Sequence, residues 1–76
     1  MLDREFEINK EIGKRIKSSR LAQGVTQALL AEQVGVSFQQ FQKMEIGQNR
    51  VSAARLQLIC EFLKLSPLVF YVDNAA

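Results

Sequence analysis

Gly35 sits inside the segment from Gln27 to Gly47, QALLAEQVGVSFQQFQKMEIG, and the apolar positions on both sides of it follow helical spacing. Leu30 and Val34 are four residues apart before the glycine, and Phe41 and Met44 are three apart after it. Each pair makes one apolar stripe on a short helix. Glycine suits a junction that needs positive φ, because it has no Cβ to clash. Ala31, one turn earlier, is small enough to let a second helix approach closely. Two short helices meeting this way form a helix-turn-helix. An ordinary αα-hairpin in a helical bundle would give the same spacing, so the flanking residues have to separate the two.

The remaining composition narrows the function classes. The chain has 76 residues, 47% of them hydrophobic, which suits one small packed domain over residues 1–76 and not a disordered chain. Cys60 is the single cysteine and there is no histidine, so neither an internal disulfide nor the commonest metal ligand is on offer. No nucleophile–base pair and no phosphate-cradling glycine loop occurs. The expectation is a protein that is not an enzyme and has no cofactor, no metal and no evident small-molecule ligand. No long apolar run and no signal peptide stands out, so a cytoplasmic location and no membrane partner are expected. Net charge is only +2, but it is unevenly placed: residues 1–12 carry −2, residues 13–50 carry +4, and the rest balance. The positive excess falls where the two-helix unit lies, as a phosphate-facing surface requires.

Five helices and no strands are expected. Ile8, Ile12 and Ile16 recur every four residues and define a first helix over about residues 8–22. Asp3 could instead cap a longer helix that adds Phe6 to the buried face. Gln23-Gly24 ends it. Thr26 caps a second helix through Val34, and Ser37 caps a third from Phe38 to about Ile46, stopped by Gly47. Ser52 caps a fourth, whose Leu56, Ile59, Cys60 and Leu63 share a face. Ser66-Pro67 opens a short apolar fifth helix through Val72, with proline at the position where its missing N–H costs nothing. The tail from Asp73 to Ala76 is expected to fray.

Beyond the central unit, the chain resembles the Cro/C1-type helix-turn-helix family of phage repressors and small bacterial regulators. The residues that carry the resemblance are Ile12-Gly13-Lys14-Arg15-Ile16, Arg20, Thr26-Gln27, Leu30-Ala31, Val34-Gly35-Val36-Ser37 and Glu45-Ile46-Gly47. Leu56, Ile59 and Leu65-Ser66 through Phe70 fit the family's last helices. The match covers about residues 12–71, with the motif itself at about 26–47. It implies an all-α, five-helix, lambda-repressor-like DNA-binding domain. Three positions depart from the family pattern. Leu29 replaces an exposed polar residue, Cys60 replaces a small residue and reads as a buried structural thiol, and Phe38 stands where well-known repressors place glutamine.

The implied function is a sequence-specific transcriptional regulator, of repressor type, acting on double-stranded DNA. The third helix would lie in the major groove. With Phe41 and Met44 inward, Phe38, Gln39, Gln42 and Lys43 point outward as the base-reading candidates. Gln39 matches adenine N6/N7, Lys43 can donate to guanine or a phosphate, and Phe38 can cover a thymine methyl or fold back as core. Gln27 resembles the family's phosphate-binding glutamine, and Ser37, Asn49 and Arg50 are the other phosphate candidates. Lys14, Arg15 and Lys17 are assigned to solvent or to long-range attraction of the DNA. Arg20 follows Ile16, and Glu45 follows Phe41, by four residues on buried faces, so both charges point inward, where they need a partner. The resemblance implies that they pair. Paired half-sites imply a homodimer, and Val69 and Val72 offer a self-complementary patch for it. An antitoxin-like module that neutralises a partner protein is the alternative function, and a purely structural bundle a third.

Overall fold

The structure, a computed structural model, describes residues 2–73, with the side chains of residues 4–73. Four α-helices follow one another: α1 over Leu2–Ala22, α2 over Gln27–Val34, α3 over Phe38–Glu45 and α4 over Ala53–Leu63. A 3₁₀ turn at Pro67–Phe70 ends the order, and there are no strands among the described residues. The expected helix starts hold wherever a hydroxyl precedes an apolar run. Thr26 Oγ1 accepts from the Leu29 N–H at 3.1 Å, Ser37 Oγ from Gln40 at 3.0 Å and Ser52 Oγ from Arg55 at 3.1 Å. Gly35 takes φ 75°, which lets the Val36 N–H reach back to the Ala31 carbonyl at 3.1 Å and close α2 tightly. Only three residues then separate α2 from α3.

Two expectations need correction. The fifth element is a four-residue 3₁₀ turn and not an α-helix. Ser66 caps it through Leu68 at 3.2 Å, but the chain is already extended at Tyr71, so too few residues remain to nucleate an α-helix. Phe70 is buried, whereas Leu68 and Tyr71 stand in solvent. Helix α1 starts at Leu2, so the longer of the two alternatives holds, with Asp3 inside the helix instead of before it. Phe6 does not join the buried face. It is 52% exposed, and the Lys10 ammonium sits 5.4 Å from its ring centroid. Of the tail expected to fray, Asp73 to Ala76, residues 74–76 lie outside the described residues.

The core is Ile16 from α1, Leu30, Ala31 and Val34 from α2, Phe41 and Met44 from α3, Ile59, Cys60 and Leu63 from α4, and Phe70. Cys60 is buried as expected, and burial pushes its thiol pKa up, with the charge of Glu61 adding to the effect. Helix α1 packs on α3, and α2 packs on both α3 and α4. The α1–α3 crossing is close because of Gly13. A Cβ there would fall against the carbonyls of Met44 and Glu45 at the end of α3. Ile12-Gly13 thus fixes how far α3 stands out from the body.

Candidate nucleic-acid interface

Helix α3 divides cleanly. Phe41, Met44 and Glu45 are buried, while Gln39, Gln42, Lys43 and Ile46 are exposed. Phe38, at the edge of the stripe, is 44% exposed, so it does not fold back as core. The four expected reading residues therefore share one outward surface. Ile46, the C-cap of α3, is exposed as well, a placement that the sequence reading missed. It follows Gln42 by four residues, and that spacing is the signal that could have revealed it. The surface bears one cation, Lys43, and its only nearby acid on the helix, Glu45, is turned into the interior.

That inward turn rests on a closed polar network. Arg20 Nε donates to Glu45 Oε2 at 2.7 Å, and its NH2 group donates to Oε1 at 3.1 Å, a bidentate pair. The side chains are 6% and 1% exposed. Arg20 NH1 also donates to the Val25 carbonyl at 2.9 Å, and Gln27 Nε2 donates to Glu45 Oε1 at 2.9 Å. The end of α1, the α1–α2 connection, the start of α2 and the end of α3 meet at one carboxylate. Among the described residues no buried side-chain polar atom lacks a partner.

The phosphate candidates stand around this network in different states. Gln27 is half-buried, with its amide nitrogen committed to Glu45 and not aimed outward. What it can offer a phosphate is its second amide hydrogen and the backbone N–H of the first turn of α2, which has no intrahelical acceptor. Ser37 uses an oxygen lone pair as the cap of α3 and keeps its hydroxyl proton to donate. Asn49 is half-buried in the loop after α3, its backbone N–H bonded to the Lys43 carbonyl at 3.2 Å. Arg50 is exposed, 3.4 Å from Glu5.

Arg15 does not belong to solvent. Its Nε donates to Glu11 at 3.0 Å, and its NH1 donates to the Tyr71 carbonyl at 2.9 Å and the Val69 carbonyl at 3.3 Å. The Arg15 guanidinium holds the Glu11 carboxyl below its ordinary pKa. Arg15 thereby straps the segment that carries Val69, exposed, and Val72, half-buried, onto α1. Lys14 and Lys17 are exposed, as expected, with Lys14 3.8 Å from Glu11.

A family model described as helix-turn-helix matches residues 16–70. The chain belongs to the Cro/C1-type helix-turn-helix family. It is 48% identical over 62 residues to the HTH-type transcriptional regulator y4aM of Sinorhizobium fredii, covering 82% of this chain and 43% of that protein. The chain spans about half the length of the curated relatives it matches. Among solved structures it is similar to the restriction-modification controller protein C.AhdI from Aeromonas hydrophila. The two are 26% identical with a TM-score of 0.76, over 86% of this chain and 97% of that one. The clp gene regulator ClgR from C. glutamicum is 30% identical with a TM-score of 0.77, over 83% and 82%. No helix among the described residues is long and apolar enough to cross a membrane.

Proposed function

We propose that this chain is the DNA-binding domain of a repressor-type transcriptional regulator acting in the cytoplasm, and that it reads duplex DNA as a homodimer. Helix α3 enters the major groove with Phe38, Gln39, Gln42 and Lys43 toward base edges. Gln27, Ser37, Asn49 and Arg50 contact the flanking phosphates. The observation that carries the reading is the outward face of α3, where Gln39, Gln42 and Lys43 stand beside Phe38, on a helix whose rotation is fixed by the Arg20–Glu45–Gln27 network. A single module of this size contacts too little DNA to discriminate against a genome of competing sites. Val69 and Val72, strapped in place by Arg15, supply the apolar patch through which two copies pair. Selection of bound duplexes from a random library, followed by footprinting, tests the reading. A two-fold symmetric site with half-site centres about 34–36 Å apart is the expected result. Enrichment of no sequence, with binding independent of salt, would overturn it.

A further inference from the structure

The acidic start of the chain and its basic middle meet where the loop after α3 crosses α1. Gly47 lies against the backbone of Lys10, where an added Cβ would come within 2.8 Å of the Lys10 Cα. The loop that leaves α3 is thereby laid along the N-terminal half of α1, outside the residues that the family model matches. Farther toward the helix start, Glu5 Oε2 stands 3.4 Å from Arg50 NH2, with the two side chains 60% and 80% exposed. Glu11, the next acid on this side of the helix after Glu7, is already engaged by Arg15 and Lys14. Glu7 lines a shallow groove with Lys10, Lys14 and Ile46. Glu5 is thus the acid of α1 seated on a cation proposed above to hold DNA.

We propose that Glu5 is a built-in competitor of the DNA phosphate for Arg50, one that lowers the affinity for every duplex alike. The inference rests on the DNA-binding reading. A pair of opposite charges this exposed is weak and opens readily when another anion arrives. While Glu5 stays beside Arg50, the local charge is close to zero, so a phosphate docked there displaces no condensed counterion. Phosphate contacts are common to cognate and random DNA, whereas contacts to base edges are not. Weakening one phosphate contact therefore reduces binding to every sequence while leaving discrimination by α3 intact.

Binding of a short random-sequence duplex, followed by fluorescence anisotropy across a salt series, tests the competitor directly. Glu5→Gln should tighten binding about threefold at low salt. It should also steepen the slope of log K against log salt by about 0.9, the increment for one further neutralised phosphate. Arg50→Gln should weaken binding in the wild-type background, and weaken it more in the Glu5→Gln background, where it reverses both gains. Glu7→Gln removes the same charge from the same helix without touching Arg50, and should leave the cost of Arg50→Gln at its wild-type value. An unchanged slope in Glu5→Gln, with Arg50→Gln equally costly in both backgrounds, overturns the competitor while the DNA-binding reading stands. A wild-type protein that binds no duplex at any salt overturns both.

Discussion

Replacing Glu45 with alanine removes both carboxylate contacts of Arg20, at 2.7 and 3.1 Å, and leaves its guanidinium only the Val25 carbonyl at 2.9 Å. The site is closed to water, with Arg20 only 6% exposed at the side chain. Stranding one member of a buried pair costs about 3–5 kcal/mol. Gln27 also loses its acceptor, but it is half-buried and can turn to solvent, so it adds little. A domain of 76 residues has a total stability of roughly 4–11 kcal/mol, so the single change consumes a large part of it. Arg20→Ala should cost a similar amount, because Glu45 then stays buried with only Gln27 as donor. The double variant Arg20→Met with Glu45→Leu strands no charge and fills the space. Its loss should be well below the sum of the singles, about 2 kcal/mol or less. Urea melts of the four proteins, read by circular dichroism, measure all three terms. Losses under about 1 kcal/mol in each single variant, the range of exposed pairs, would refute the reasoning and mean that the network is superficial.

Gln39→Ala and Lys43→Ala should each relax preference at particular base pairs by about 1–3 kcal/mol, whereas Gln27→Ala should weaken cognate and random duplexes alike. Anisotropy on cognate and singly altered sites separates the two outcomes. Gly13→Ala gains helix propensity but drives a Cβ into the Met44 and Glu45 carbonyls, so a net loss of about 1–3 kcal/mol is expected in urea melts. The Glu11 pKa is depressed in the folded state, so its stabilising contact with Arg15 is fully present above the ordinary pKa of 4.5 and fades as pH falls through the lower folded value. Amide chemical shifts of Phe70 and Val72, which follow the two carbonyls that Arg15 holds, should therefore move on acidification below about pH 4.5, and Glu11→Gln should abolish the shift.

The parts of the fold that are legible in the sequence are those set by local chemistry. A hydroxyl before an apolar run marks the starts at Thr26, Ser37 and Ser52, and a glycine at the end of Leu30–Val34 marks the turn. The inward placement of Arg20 and Glu45 follows from helical period alone, since each stands one turn from a residue that is fully buried, Ile16 and Phe41. The length of α1 is illegible for the converse reason. Its isoleucines mark only the stretch that touches the core, and Phe6, which could extend the period, is exposed and adds nothing to that face. The fifth element is misread because Ser66-Pro67 opens a 3₁₀ turn as readily as an α-helix. What decides is that the chain is extended at Tyr71, whose carbonyl is held by an arginine 56 residues earlier. Arg15 and Gln27 share this limit. Period gives the side of the helix on which a side chain sits, but the acceptor that a long side chain reaches depends on elements distant in sequence.

The buried pair is better understood as a device for geometry than for stability. Desolvating two charges uses up most of what their attraction returns, and well-packed apolar residues would hold the same space as firmly. Apolar contacts, however, tolerate a small rotation of α3 about its own axis, since dispersion is non-directional. A bidentate arginine–carboxylate pair does not, because both N–H···O bonds weaken together when the fork tilts. A reading helix needs that rigidity, because the hydrogen bond proposed from Gln39 to a base edge would fail with a displacement of well under a helical turn. Gln27 extends the constraint to the first turn of α2. Its amide shares Oε1 of Glu45 with Arg20, so the donor proposed to meet a phosphate is referenced to the same carboxylate that sets the rotation of α3. The backbone of the DNA and the edges of its bases would then be read from one fixed origin, and Gly13 sets how far that origin stands from the body of the domain.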